Sequence, residues 1–236
     1  MLRAVARLAA MLRLPWLESL AGLILTRPCG LCDRPCAEGL CDRCRGQLLA
    51  QANPCWQSPL FSWGPYSGDL RRAIGRLKYD GQRPLADWLG NRLAEAVWNQ
   101  GLLRGPAHPW LVPVPIHPDR FRQRGFNQAE LLAAAIARRL DLMLATDVLR
   151  RVRRTLPQHG LSSRDRQENL QGAFAAVPGR RSPALWLVDD IFTTGATLNE
   201  ARATLLAQGW TVETVLVVAI AERRTTGGTA ASGPGR

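Results

Sequence analysis

Leu185-Trp-Leu-Val-Asp189-Asp190-Ile-Phe-Thr193-Thr194-Gly195-Ala196-Thr197-Leu198 is the stretch on which the fold of this chain turns. An apolar run of strand character ends in two adjacent carboxylates, and a turn rich in hydroxyls and glycine then opens a helix. The start of such a helix carries free backbone N–H groups and the positive end of the helix dipole, which suits a phosphate dianion. Thr193, Thr194 and Thr197 add hydroxyls around Ala196, and Gly195 lets the backbone approach a ligand closely. Asp189 and Asp190 stand one turn back, placed to accept hydrogen bonds from sugar hydroxyls or to hold a hydrated cation. A sugar phosphate would satisfy both halves. An isolated Asp-Asp pair would instead read as exposed strand-end acids beside an ordinary helix cap. The complete strand–turn–helix unit favours a binding site.

Outward from this unit, short strands alternate with helices. Residues 67–79 read as a short helix with Leu70, Ile74 and Leu77 on one face. Residues 84–99 read as a longer one, starting at Pro84 and burying Leu85, Trp88, Leu89, Leu93, Ala96 and Val97. The apolar run 110–115 is expected to be a buried strand, and Asn127 caps a helix that runs to Leu140. Strand 184–188 leads into the acidic pair. Helix 196–208 stops at Gly209, and the valine-rich run 211–220 is a fully buried strand. This alternation predicts an α/β fold, a parallel sheet flanked by helices. Ligands of such sheets lie outside the carboxyl ends of the strands.

With 236 residues, 46% hydrophobic and 21% charged, the chain is long enough for one sizeable core and a small appendage. A second large catalytic domain, such as a glutamine-hydrolysing one, would not fit beside it. The formal charge of +12 favours anionic partners. Almost every cation is arginine, Lys78 being the only lysine, which reads as coding bias, so charge alone does not name the partner. No run approaches the ~18–20 apolar residues of a membrane span, and a soluble cytoplasmic protein is expected. Residues 1–28 read as a basic amphipathic helix without the apolar core of a secretory signal. The polar tail 223–236 is expected to be disordered.

All six cysteines fall between Cys29 and Cys55. Cys29-x2-Cys32 and Cys41-x2-Cys44 are paired knuckles that can deliver four thiolates to one tetrahedral zinc. Cys36, between them, could compete as a ligand, and Cys55 is the poorer candidate. An iron–sulfur cluster, a redox dithiol or unrelated thiols are the alternatives. Structural zinc is favoured, because four cysteines leave no open coordination position. Residues 29–56 are thus expected to form a small zinc ribbon.

The 185–198 unit resembles the 5-phosphoribosyl-1-diphosphate (PRPP) motif of type I phosphoribosyltransferases, and the chain as a whole resembles the ComF family, its zinc-ribbon-bearing branch linked to DNA uptake in competent bacteria. Further stretches carry the likeness. They are the knuckles, the run Leu111-Val-Pro-Val-Pro-Ile followed by Arg120, Arg122 and Arg124-Gly-Phe-Asn-Gln128, and Arg154-Thr-Leu-Pro-Gln158 with Leu161, Arg166, Asn169 and Gly172-Ala-Phe174. The resemblance implies a phosphoribosyltransferase-like domain at 57–222. In it Thr193–Thr197 would hold the ribose 5-phosphate, with Asp189 and Asp190 on the ribose hydroxyls. Arg120, Arg122, Arg124 and Gly125, in a loop after strand 110–115, would meet the pyrophosphate, and Mg2+ would arrive with PRPP. It also implies a mobile lid at 149–169 carrying Arg153, Arg154, Gln158 and Arg166, although those cations would equally suit nucleic acid. Lys78 either reaches the phosphates or snorkels at the surface. Purine-salvage members carry an acid three residues after the Asp-Asp pair to exchange a proton with the base. Thr193 occupies the corresponding position here, so a nucleobase acceptor that needs deprotonation is not supported, ammonia or an amine stays compatible, and the sequence does not identify the acceptor. The implied activity is ribosyl transfer from PRPP to a nitrogen acceptor, associated with DNA uptake. The alternative is a non-catalytic PRPP-sensing module that contacts DNA or an uptake helicase, and self-association is compatible with either.

Overall fold

A computed structural model describes residues 27–103, 108–155, 165, 169–179 and 183–221. The cysteine region pairs β1 (Arg27–Pro28) with β2 (Pro35–Cys36) and continues into helix α1 (Asp42–Ala50). Strands β3 (Cys55–Gln57) and β4 (Leu60–Pro65) form a hairpin, followed by helices α2 (Gly68–Tyr79) and α3 (Pro84–Asn99). Strand β5 (Trp110–Pro113) leads to helices α4 (Pro118–Arg124) and α5 (Gln128–Leu140). Strands β6 (Leu149–Arg151) and β7 (Phe174–Ala176) pair antiparallel, and β8 (Leu185–Phe192), α6 (Ala196–Ala207) and β9 (Val212–Ile220) complete the order.

One five-stranded sheet runs β3-β4-β9-β8-β5, parallel throughout except for the β3–β4 hairpin. Alternation along β8 explains both layers, because successive side chains leave a strand on opposite faces. Trp186 and Val188 join Leu77 of α2, Leu89 of α3 and Ile136 of α5 in one core, whereas Leu185 and Leu187 pack with Leu198, Ala201 and Leu205 of α6 in the other. Helices α3 and α5 cross so closely that a Cβ on Gly90 would lie 2.6 Å from the Cβ of Ala135. A glycine in mid-helix is tolerated here because it allows that approach. The α/β class and helix-flanked parallel sheet are as the sequence predicts, and among the described residues no helix is long and apolar enough to cross a membrane.

Several expectations shift. Strand β8 runs on through the acidic pair to Phe192, because β9 offers partners as far as Ile220. The expected pyrophosphate loop is instead helix α4, started by His117, whose Nδ1 accepts from the Asp119 N–H at 3.2 Å, and ended by Gly125 at φ 75°. The first residues of the expected lid are strand β6. Trp88 is half-buried, edge-on to Trp63 at 5.8 Å between centroids. Arg27 and Pro28, at the end of the expected N-terminal helix, are a strand, and residues 1–26 and 222–236 lie outside the described residues.

Candidate functional site

The cysteine cluster is the simpler of two sites. The sulfurs of Cys29, Cys32, Cys41 and Cys44 all lie within 4.8 Å of one another. Cys32 Sγ and Cys41 Sγ stand 3.7 Å apart, close to the edge of a tetrahedron with metal–sulfur bonds of about 2.3 Å. Burial opposes ionisation of Cys29, but backbone N–H groups of Cys41, Leu31 and Cys32 outweigh it and bring the thiol down to about 6. Burial and the neighbouring sulfurs push Cys44 up. Four thiolates at such spacing need a cation between them, and the all-sulfur set fits structural zinc. Cys36 and Cys55 lie outside the cluster, in β2 and β3. The module is fastened to the sheet domain by Arg76 of α2, which donates from Nε to the Gly30 carbonyl at 3.1 Å and pairs with Asp33.

The second site gathers at the carboxyl end of β8. Asp189 and Asp190 are 9% and 3% exposed. Strand alternation puts Asp190 on the α2–α5 side, where it pairs with Lys78 and accepts from Gln128 Nε2 at 3.4 Å. Gln128 in turn accepts from Arg124. The lone lysine is therefore tied to the acidic pair and is not a surface cation. Burial opposes the charge of Asp190, yet Lys78 holds its pKa below the usual carboxylate range. Lys78 is raised by the same pairing against its own burial. Asp189 has no cation bonded to it among the described residues. Its burial, and then the charge of Asp190, raise its pKa well above the ordinary value.

Past the strand, Gly195 turns the chain at φ 78°, and a Cβ there would lie 2.8 Å from the Phe192 ring. Both the left-handed backbone and the lack of space demand glycine. Thr194 Oγ1 accepts from the Ala196 N–H at 3.5 Å, Thr193 is exposed, and Thr197 sits in the first turn of α6. Replacing Gly195 with valine is expected to lower stability by about 1–3 kcal/mol, since a β-branched residue in this region is strained. Chemical denaturation measures it.

The sequence-predicted arginines divide. Arg124 is half-buried, lies over the Tyr79 ring at 5.7 Å and feels the charges of Asp190 and Arg120. Arg120 and Arg122 are exposed, and Arg122 pairs with Asp119. Arg154 approaches the same Asp119 at 3.6 Å. Arg153 donates to the carbonyls of Asn169 and Gln171 at 3.0 and 2.6 Å, closing the root of the 149–169 segment on itself. Gln158 and Arg166 lie outside the described residues. Two residues given no role from sequence also belong here. They are Gln128, the link between Arg124 and Asp190, and Arg151, whose charge interacts with Asp189 and Arg120. Gln128 follows the Asn127 cap and was visible as a first-turn polar residue. Arg151 had no distinguishing signal.

Comparison with known proteins gives a consistent set of relatives. No protein-family model matches the chain. It is 36% identical over 186 residues to competence protein F of Haemophilus influenzae, covering 72% of this chain and 79% of that protein. It is 33% identical over 170 residues to the DNA utilization protein YhgH of Escherichia coli, covering 72% of each. Competence protein ComFC of Streptococcus pneumoniae is 30% identical over 148 residues, covering 61% of this chain and 60% of that one.

Proposed function

The chain belongs to the ComF family, and we propose that it binds PRPP with Mg2+ at the carboxyl end of β8 and transfers the ribosyl group to a nitrogen acceptor, in a role connected with DNA uptake. One observation carries the reading. A buried Asp-Asp pair at a strand end is followed by a glycine turn into a helix, with Lys78, Arg120, Arg124 and Arg151 around it. The α6 N-terminus offers donors to the 5-phosphate. Asp189 and Asp190 accept from the ribose hydroxyls, and guanidinium groups meet the pyrophosphate oxygens. Mg2+ comes with PRPP, keeping most of its waters. In transfer, the bond from C1 to the pyrophosphate oxygen breaks with its electrons leaving on pyrophosphate. The acceptor nitrogen's lone pair forms the new bond to C1, and its proton passes to solvent. Thr193 supplies no acid or base beside this step, which is compatible with ammonia or an amine as the nitrogen acceptor. A structural zinc occupies the Cys29, Cys32, Cys41 and Cys44 cluster.

The experiment is pyrophosphate release from PRPP and Mg2+ with a mixed pool of small amines and nucleobases. Acceptor-dependent release supports an enzyme. PRPP binding without release supports the second reading, a PRPP-sensing module that contacts DNA or a helicase through exposed cations such as Arg122 and Arg154. A pH dependence also follows. Burial, and then the charge of Asp190, raise the pKa of Asp189 while Lys78 and Arg151 oppose the rise, and ribose hydroxyls donate to the ionised carboxylate, so binding favours loss of its proton. Affinity for PRPP is therefore expected to rise with pH until Asp189 ionises in the free protein, with proton release. Calorimetry in buffers of different ionisation enthalpy reads this directly, and Asp189→Asn should flatten the profile.

A further inference from the structure

Four consecutive residues close helix α2, and each is committed to a different part of the molecule. Arg76 reaches the cysteine module, where its Nε donates to the Gly30 carbonyl at 3.1 Å and its guanidinium pairs with Asp33. Leu77 is fully buried in the core that holds Trp186 and Val188 of β8. Lys78 pairs with Asp190, and the Tyr79 ring lies under Arg124 of α4 at 5.7 Å. Successive side chains leave a helix about 100° apart, so one turn can face four neighbours at once. The turn is also closed on itself. The Asp80 N–H donates to the Arg76 carbonyl at 3.1 Å, and Asp80 Oδ2 stands 3.2 Å from Arg76 Nη1.

The groups that Arg76 grips belong to the turn presenting the first two sulfurs of the cluster. Gly30 lies between Cys29 and Cys32, and Asp33 follows Cys32 at φ 62°, its N–H donating to the Cys29 carbonyl at 2.9 Å. Gly30 also stands so near α3 that a Cβ there would lie 3.1 Å from Leu85 Cγ, which leaves the turn little room to shift. A metal that fixes Cys29 and Cys32 therefore fixes the carbonyl and the carboxylate on which Arg76 rests. An α2 end released from that turn would carry Lys78 and Tyr79 with it. Both stand beside the second site, Lys78 holding Asp190 and Tyr79 supporting Arg124. We infer that Arg76 is a positioning residue through which the cysteine turn, once metal fixes it, sets Lys78 at the acidic pair and so the affinity of the β8 end for its anionic ligand. The inference rests on the PRPP reading above and adds a regulation of that site, its dependence on zinc. Linkage makes the dependence reciprocal, because PRPP must tighten zinc by the same factor as zinc tightens PRPP.

The test uses the intact, zinc-loaded chain as wild type, Arg76→Gln and Asp33→Asn. Competition with a chromophoric zinc chelator, with and without PRPP and Mg2+, reads zinc affinity, and calorimetry reads PRPP affinity. In wild type, PRPP is expected to tighten zinc by at least about fivefold. Both variants should keep one equivalent of zinc, bind PRPP at least about fivefold more weakly and lose most of the coupling. The two variants separate position from charge. Arg76→Gln removes a cation and Asp33→Asn an anion, so a plain field effect would move PRPP affinity in opposite directions, whereas lost positioning weakens it in both. Opposite shifts would overturn the inference. So would a wild type that binds PRPP but holds zinc equally well with and without it, a result that leaves the PRPP site standing. Should Arg76→Gln lose its zinc, Asp33→Asn, which leaves α2 intact, decides between the same outcomes. A wild type that holds zinc but binds no PRPP would remove the PRPP reading itself, and this regulation with it.

Discussion

Stripping the metal from the four-cysteine cluster is expected to melt the N-terminal module and to lower the stability of the whole chain. Leu31, Leu40 and Leu48 share one continuous core with Leu77 of α2 and Leu85 of α3, together with the buried sulfurs of Cys29 and Cys44. So short a module, with strands of two residues, depends on that junction and on the metal together. Structural zinc contributes on the order of 10–16 kcal/mol of apparent binding free energy at neutral pH, which becomes folding free energy when the apo site is not preformed. Protein purified without added zinc should carry close to one equivalent. A chelator, or Cys44→Ser, should strip amide protection from residues 27–51 while the strands of the main sheet keep theirs. Negligible zinc, or iron with visible absorbance, would contradict the assignment.

The second large effect belongs to Lys78. Removing one partner of a buried ion pair leaves an uncompensated charge and costs about 3–5 kcal/mol, and Asp190 has no other cation bonded to it among the described residues. Lys78→Met should therefore lower the melting temperature by about 6–20 °C for a domain of this size. The sign with pH is fixed. The pKa of Asp190 is depressed by Lys78, so the pair's contribution is present above the ordinary carboxylate range and is lost as pH falls through the folded value. In Lys78→Met that depression is gone, Asp190 takes up a proton more readily, and the deficit relative to wild type shrinks in acid. Lys78→Met/Asp190→Asn should recover most of the loss at neutral pH. Melting of the four proteins of this cycle at two pH values measures it. A loss in Lys78→Met that Asp190→Asn does not relieve would show the pair is not the cause.

The acidic pair, the glycine turn and the helix behind it were legible because all their signals are local. Pro84 at the first turn and Asn127 as cap fixed the starts of α3 and α5 for the same reason, with Asn127 Oδ1 accepting from the Ala129 N–H at 3.1 Å. Strand β4 was not legible, since Pro59, Gly64 and Pro65 break its pattern and its pairing with β9 is far away in sequence. Helix α4 buries no residue, so no apolar stripe announces it, and its caps alone define it. The same contrast governs the site. Lys78 drew notice as a lone lysine, but only the packing of α2 beside β8 shows that it serves Asp190. Arg151 stands in a hairpin whose two strands are distant in the chain, and nothing local marks it.

The proposed PRPP site at the carboxyl end of β8 is tested by calorimetry with PRPP and Mg2+ on the intact chain. Wild type is expected to bind below millimolar PRPP, and Asp189→Asn, which leaves the Lys78–Asp190 pair in place, to bind at least about tenfold more weakly with an unchanged melting temperature. Failure of wild type to bind at millimolar PRPP with Mg2+, or Asp189→Asn binding as tightly as wild type, would show that the β8 end is not a PRPP site.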